Sequence, residues 1–292
     1  MKVKTLLLLG RTSNLPTAWS NMLAGAVLSG ATFGPNTLAA LVLCGSAFYE
    51  GGMFLNDAFD AEVDAKERPA RPIPSGQVAR STVFLLGFAL LAAGIVVLTL
   101  AAGLGFTRPD SRAVLAGAFT CCAVLVYNRW HKGHAWSPIV MGACRAGLYA
   151  TAALAVSSQL SDALLLGAGA LWLYIIGLTH IARFETGKLL DRVWPSLLVF
   201  CPLLVAAPAL VRAPAVLPLL CALGLAAWSV RSLSFALRGG PGQIPRAVVT
   251  LIAGVSLVDA LFIALYGPPL LVLPALGAFL LTLKWQRRIP GT

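Results

Sequence analysis

The sequence predicts an all-α, polytopic membrane protein with nine or ten transmembrane helices. Three observations predict it. The chain is 58% hydrophobic and 11% charged, with a mean hydropathy of +0.83, too much apolar surface for a soluble core of 292 residues to hide. Apolar stretches of about the twenty residues needed to cross a bilayer recur along its whole length. Eighteen of the 22 Lys and Arg fall in alternate connections, so one face of the array is basic.

The stretches follow in order. The opening MKVKTLLLLGR has an apolar run too short for a secretory signal, interrupted at Arg11, and reads as an uncleaved interfacial segment. Spans follow near 14–32 and 37–60, the second running into the acidic stretch NDAFDAEVD. The loop AKERPARPIPSGQ, stiffened by three prolines among cations, leads to a span near 80–103. Arg108 and Arg112 lie on the sparsely charged side before 112–130, and Arg129 and Lys132 lie on the basic side before 136–156. Beyond 162–183 comes the mixed-charge loop RFETGKLLDR, which repeats the character of the first acidic loop and suggests two pseudo-equivalent halves. Stretches near 193–210, 214–236, 246–266 and 268–285 complete the set, with Gly267, Pro268 and Pro269 marking a turn or a break within one long segment.

The cation asymmetry predicts a multi-pass protein of the cell (inner) membrane with both termini and the acidic stretch cytoplasmic, and it favours an even number of crossings. It also accounts for the formal charge of +11 through topology and contact with anionic lipids, without nucleic acid. No linker or low-complexity tract divides the chain, so residues 1–292 read as one integral membrane domain. The six cysteines lack C-x-x-C spacing and read as packing residues.

Only 11 residues are acidic, and four of them fall between positions 57 and 64. On a continuous helix at about 100° per residue, Asn56, Asp57, Asp60 and Asp64 share an arc of about 100°, while Glu62 points away. A row of oxygen ligands on one face suits Mg²⁺, especially when substrate phosphates complete its octahedron. The competing reading is an acidic helix end that prefers water. Glu50, seven residues before Asp57 and about 10 Å deeper, is expected to face the same side and to contact an acceptor or take its proton, or else to be a protonated acid bonded across helices.

Asn56-Asp57-x-x-Asp60-x-x-x-Asp64, followed by Arg71-Pro72-Ile73-Pro74-Ser75-Gly76, resembles the first signature of the UbiA-type membrane prenyltransferases. Asn14-Leu15-Pro16 with Asn21, Tyr127 through Lys132, and Gly142 through Gly147 with Arg145 resemble that family's first helix, its basic segment and its fifth helix. Within the superfamily the pattern resembles the EboC-like branch. The resemblance implies a helical ring around a central cavity, with Mg²⁺ and an isoprenyl diphosphate at a cytoplasmic mouth. It implies transfer of the prenyl group to a small aromatic or lipophilic acceptor.

On that implication Arg71, Lys132, Arg145 and Lys188 bind the diphosphate, and Tyr127 and His131 donate to its oxygens. Arg145 could instead form a structural ion pair, the other three could be topology determinants, and Tyr127 and His131 could be interfacial residues. Asn14 and Asn21 contact substrate or act as interhelical glue. The family's second acidic cluster is depleted to Glu185 and Asp191, which reach one metal only if the helix ends or bends near Gly187. That depletion leaves open a non-catalytic relative that binds or moves a lipidic molecule. A CDP-alcohol phosphotransferase is disfavoured because Asp60 is followed by Ala61 rather than Gly.

Overall fold

A computed structural model describes residues 2–183, 194–238, 240–289 and 291, which form eleven α-helices and no strand. A short α1 (Val3–Leu9) precedes ten helices that match the ten apolar stretches: α2 (Pro16–Leu28), α3 (Pro35–Glu67), α4 (Arg80–Gly103), α5 (Arg112–Trp130), α6 (Ser137–Val156), α7 (Asp162–Ala182), α8 (Cys201–Arg212), α9 (Val216–Arg238), α10 (Gln243–Tyr266) and α11 (Val272–Gln286).

Among the described residues, eight helices are long and apolar enough to cross a membrane, α11 counting with the 3₁₀ turn before it. The two shorter ones correct the expected spans. The first predicted stretch, 14–32, contracts to the 13 residues of α2, which begin at Pro16 and give way to Gly30 in a left-handed conformation (φ 74°). The seventh is divided between a 3₁₀ segment, Trp194–Phe200, and the 12 residues of α8, which carries Pro202 in its first turn and Pro208 inside, leaving a shorter apolar helix over Ser196–Arg212. Between α10 and α11, Gly267 and the 3₁₀ turn Pro269–Leu271 form a true break, so the last apolar region is two helices.

From α2 onward each helix packs on its chain neighbours. The circuit closes where α2 meets α3 on one side and α10 and α11 on the other, while α7 also lies against α10. Opposite faces of α2 and α6 serve two apolar cores. Leu23, Val27, Tyr149 and Ala153 join α7, α9 and α10, whereas Ala18, Met22, Leu148 and Ala152 join α3, α4 and α5. Outward-facing side chains such as Leu85 and Leu204, each 70% exposed, belong to an apolar exterior that only lipid would cover favourably.

Glycine sets the closeness of α2 and α6. A Cβ on Gly25 would lie 2.5 Å from the Tyr149 carbonyl oxygen, a backbone atom that cannot swing aside. Gly25→Leu is therefore expected to separate the two helices and lower stability by about 2–3 kcal/mol, measured by denaturant unfolding in detergent, with Gly224→Leu, where nothing lies within 4 Å, as the harmless control.

Candidate active site: an acidic helix face met by three cations and a histidine

Helix α3 has 33 residues, about 50 Å at 1.5 Å per residue, against a hydrocarbon core of about 30 Å. Nothing between Asn56 and Glu67 breaks it, and it stops at Arg68, whose φ/ψ of −142°/60° leaves the α region that the following Pro69 disfavours. The acidic segment is thus a helical extension. Its inward edge, Tyr49, Met53, Asn56, Asp60, Val63 and Glu67, steps by three or four residues along the wall of a cavity of about 560 Å³. Asn14, Tyr127, Met141, Arg145, Ile175, Leu178, Ile252 and Val255 complete much of that wall.

Cations arrive from three other segments. Arg11, between α1 and α2, donates from Nη2 to Asn56 Oδ1 at 3.1 Å and to Asp57 Oδ1 at 3.2 Å. Arg71 Nη1 bridges Asp57 Oδ1 at 3.1 Å and Asp64 Oδ2 at 3.0 Å. Its loop folds back because the Ser75 and Gln77 amides donate to the Arg71 and Pro72 carbonyls, with Gly76 at φ 74°. Lys132 Nζ lies 3.0 Å from Asp60 Oδ1, and His131 Nε2 lies 3.4 Å from Oδ2 of the same carboxylate. An amide ladder places this last pair: Asn56 donates to Asn128 Oδ1, and Asn128 donates to the Gly52 carbonyl, pinning the end of α5 to α3.

Arg11 is the one non-glycine residue with positive φ among the described residues, at φ 42° and ψ 44°. Its carbonyl accepts from Tyr49 Oη at 3.3 Å, and its side chain is held by the acids, so contacts on both sides hold the unfavourable backbone. Burial alone would lower its pKa, but the field of Asp57 and lesser fields from Tyr49, Tyr127 and Asp60 raise it above the ordinary arginine value, so it remains charged. Arg11→Gly is expected to unfold about 1 kcal/mol less readily than Arg11→Ala, because both lose the ion pair and only glycine takes this φ without strain. Equal stabilities in detergent unfolding would count against the left-handed conformation.

Other predicted residues are distributed unevenly. Tyr127 stacks on His131 with ring centroids 4.9 Å apart, at the mouth. Asn14 lines the cavity, donating to the Gly291 carbonyl at 2.9 Å and accepting from Gln286 at 2.8 Å. Arg145 reaches the cavity from α6, with its guanidinium 5.3 Å from the Tyr49 ring centroid. Asn21 lies deeper, accepting from Arg145 and donating to Asp259.

Glu50 departs from the expected position. Its carboxylate accepts from Thr12 Oγ1 at 3.2 Å, and it does not line the cavity. It shares the side of α3 occupied by Asp57, which does not line the cavity either and meets Arg11, so that side faces the N-terminal segment, which the helical angle alone could not show. Glu185, Lys188 and Asp191 lie outside the described residues. Sequence reading passed over Arg11, Asn128 and Tyr49 as site residues. It also passed over Asp259, although an acid in the middle of an apolar span was a visible signal.

The donor chemistry suits Mg²⁺ in one respect and limits it in another. Asn56, Asp57, Asp60 and Asp64 offer oxygen ligands, but no three His, Cys, Asp or Glu side chains converge on one point among the described residues. The site therefore fits an ion that takes one or two carboxylates and draws its other oxygens from phosphate and water.

Comparison with known proteins places this geometry. Over 167 residues the chain is 29% identical to the digeranylgeranylglyceryl phosphate synthase of Metallosphaera sedula, across 57% of this chain and 46% of that protein. The chain thus spans less than half the length of that curated relative. A solved structure of a digeranylgeranylglyceryl phosphate synthase shares the fold with a TM-score of 0.63 at 17% identity, covering 90% of this chain and 98% of the other. A UbiA homologue from Archaeoglobus fulgidus, bound to GPP and Mg²⁺, shares it with a TM-score of 0.53 at 13% identity, covering 96% and 97%. The model of the UbiA prenyltransferase family matches residues 15–243, and with the acidic helix face, the returning basic loop and the helices from α2 to α9 within that match, the chain belongs to the UbiA prenyltransferase family.

Proposed function

We propose that the protein is a prenyltransferase that uses Mg²⁺ to move an isoprenyl group from a prenyl diphosphate to a small aromatic or lipophilic acceptor at the cytoplasmic membrane face. The observation that carries this reading is the polarity of one cavity. Its mouth gathers Asp60, Asp64, Arg11, Arg71 and Lys132, and its inner wall is Met141, Ile175, Leu178, Ile252 and Val255. A prenyl diphosphate has the same division, a charged head and an apolar tail. Binding of GPP and Mg²⁺ by the A. fulgidus homologue supports the assignment.

Arg11, Arg71, Lys132 and Arg145 receive the diphosphate, and Tyr127 and His131 donate to its oxygens. Asn56, Asp57, Asp60 and Asp64, with Glu185 and Asp191 as a second set, would hold Mg²⁺, which when bound would supply further positive charge against the departing diphosphate. The allylic carbon–oxygen bond breaks with its electron pair leaving on the diphosphate, and a pair from the acceptor forms the new bond to carbon as the acceptor gives up a proton to water or to the released diphosphate. The apolar wall keeps water from the cationic carbon until the acceptor reaches it. The concentration of cations on the site's side of the bundle supports a cytoplasmic mouth.

Mass spectrometry of the purified protein with a panel of prenyl diphosphates and lipophilic acceptors, with and without Mg²⁺, tests the reading. Mg²⁺-dependent diphosphate release with a prenylated product is the expected result. Binding without any product across the panel would point to a lipid-binding relative instead.

A further inference from the structure

Behind Arg145 lies a polar chain that the proposed reaction does not itself use. Asp259, in α10, is fully buried. Both its carboxylate oxygens accept from Asn21 Nδ2, at 3.0 Å each, and Oδ1 also accepts from Tyr149 Oη at 2.5 Å. Asn21 Oδ1 in turn accepts from Arg145 Nη1 at 2.9 Å. Beside this pair the hydroxyls of Ser20, next to Asn21 in α2, and Ser256, about one turn before Asp259 in α10, meet at 2.9 Å, so the two helices are in contact at this level.

The chemistry of the chain gives it a direction. An ionised carboxylate only accepts, so Asp259 takes the NH₂ end of Asn21 and leaves the amide oxygen no choice but to face the other way. That oxygen holds one corner of the Arg145 guanidinium against the wall. The remaining donors stay available to the cavity, and the Tyr49 ring lies beside the group. The negative charge of Asp259 offsets that of Arg145 through one intervening amide, without occupying the donors a ligand would need.

We infer that Asp259 is a positioning residue for Arg145: through Asn21 it fixes the orientation of the guanidinium that faces the substrate. This rests on the prenyl diphosphate reading for the identity of the ligand, but not for the orientation itself. The alternative role is an interhelical clasp that ties α2, α6 and α10 together and is indifferent to what Arg145 does.

The isosteric variant Asp259→Asn separates the two. Its amide can take either orientation against Asn21, so the instruction to Asn21 is lost while volume is kept. Two measurements are made on the full chain in detergent: ¹⁵N NMR of the Arg145 guanidinium without ligand, assigned with Arg145→Lys, and calorimetric affinity for geranyl diphosphate with Mg²⁺. In wild type the Arg145 Nη signals should be separate, as in a held guanidinium. In Asp259→Asn they should average, and affinity should fall by about tenfold or more. The swap Asn21→Asp with Asp259→Asn puts the carboxylate directly against Arg145 and lets the new amide on α10 donate to it, and it should recover both readouts. Unchanged signals and affinity in Asp259→Asn, with or without lost thermal stability, overturn the inference in favour of the clasp. Failure of the swap to recover either readout overturns it as well. If wild type binds no geranyl diphosphate, the substrate reading falls, and the ligand-free spectra still decide the positioning role.

Discussion

Asp60→Ala should abolish the Mg²⁺-dependent part of prenyl diphosphate binding while leaving the Mg²⁺-independent part intact or stronger. Asp60 lines the cavity and is paired with Lys132 at 3.0 Å and His131 at 3.4 Å. Removing it takes one anionic oxygen from a set that holds few, and Mg²⁺ dehydrates reluctantly for a poorer shell. It also frees Lys132, which becomes a stronger anion site once its intramolecular partner is gone. The two effects have opposite signs and separate by titrating geranyl diphosphate with and without Mg²⁺ in a calorimeter. The Mg²⁺-dependent gain in affinity is expected to fall by about a hundredfold, equivalent to about 2.7 kcal/mol. An equal loss in both conditions would mean that Asp60 acts only by shaping the mouth. Full retention of the Mg²⁺-dependent gain would remove Asp60 from the metal assignment.

Arg145→Met should be costly in two independent ways. Arg145 enters the cavity from within a span, where a guanidinium persists only with partners. Its loss removes a donor from the diphosphate or from the charge that develops on it, and turnover is expected to drop by at least about a hundredfold. The same change leaves the buried Asp259 without the cation that offsets it, which is expected to lower stability by about 3 kcal/mol. Adding Asp259→Asn to Arg145→Met removes both charges and should recover much of the stability and none of the turnover. Stability is read by denaturant unfolding in detergent and turnover by product mass spectrometry. A single variant with wild-type turnover would exclude Arg145 from the chemistry. A double variant no more stable than Arg145→Met would show that the two charges are not coupled.

Much of the site was legible in the sequence. A helix repeats every 3.6 residues, so Asn56, Asp57, Asp60 and Asp64 had to share a face if α3 ran through them, and it does. Arg71 follows Asp64 by seven residues in a proline-stiffened loop, so its return to those acids is a local event. Arg145 announced itself as a guanidinium inside an apolar span. Arg11 did not, because one cation among many near a membrane boundary looks like a topology signal, and only the left-handed turn after α1 aims it at Asn56 and Asp57. Glu50 shows the same limit from the other direction: its helical angle was known, but whether the cavity or Thr12 lay at that angle was not.

By itself, then, the sequence determined the membrane class, the order of the apolar helices, the basic side and the acidic face. Each of these follows from periodicity or from transfer energetics acting on residues close in the chain. Only the tertiary structure decided which side of α3 meets the cavity, that α2 and α8 are short, and that Arg11 joins the acids. It alone joined Asp259 to Arg145 through Asn21, residues as far as 238 positions apart. Such contacts depend on how helices rotate and close against one another around α2 and α10. Packing of whole helix surfaces sets that arrangement, and no local pattern in the chain encodes it.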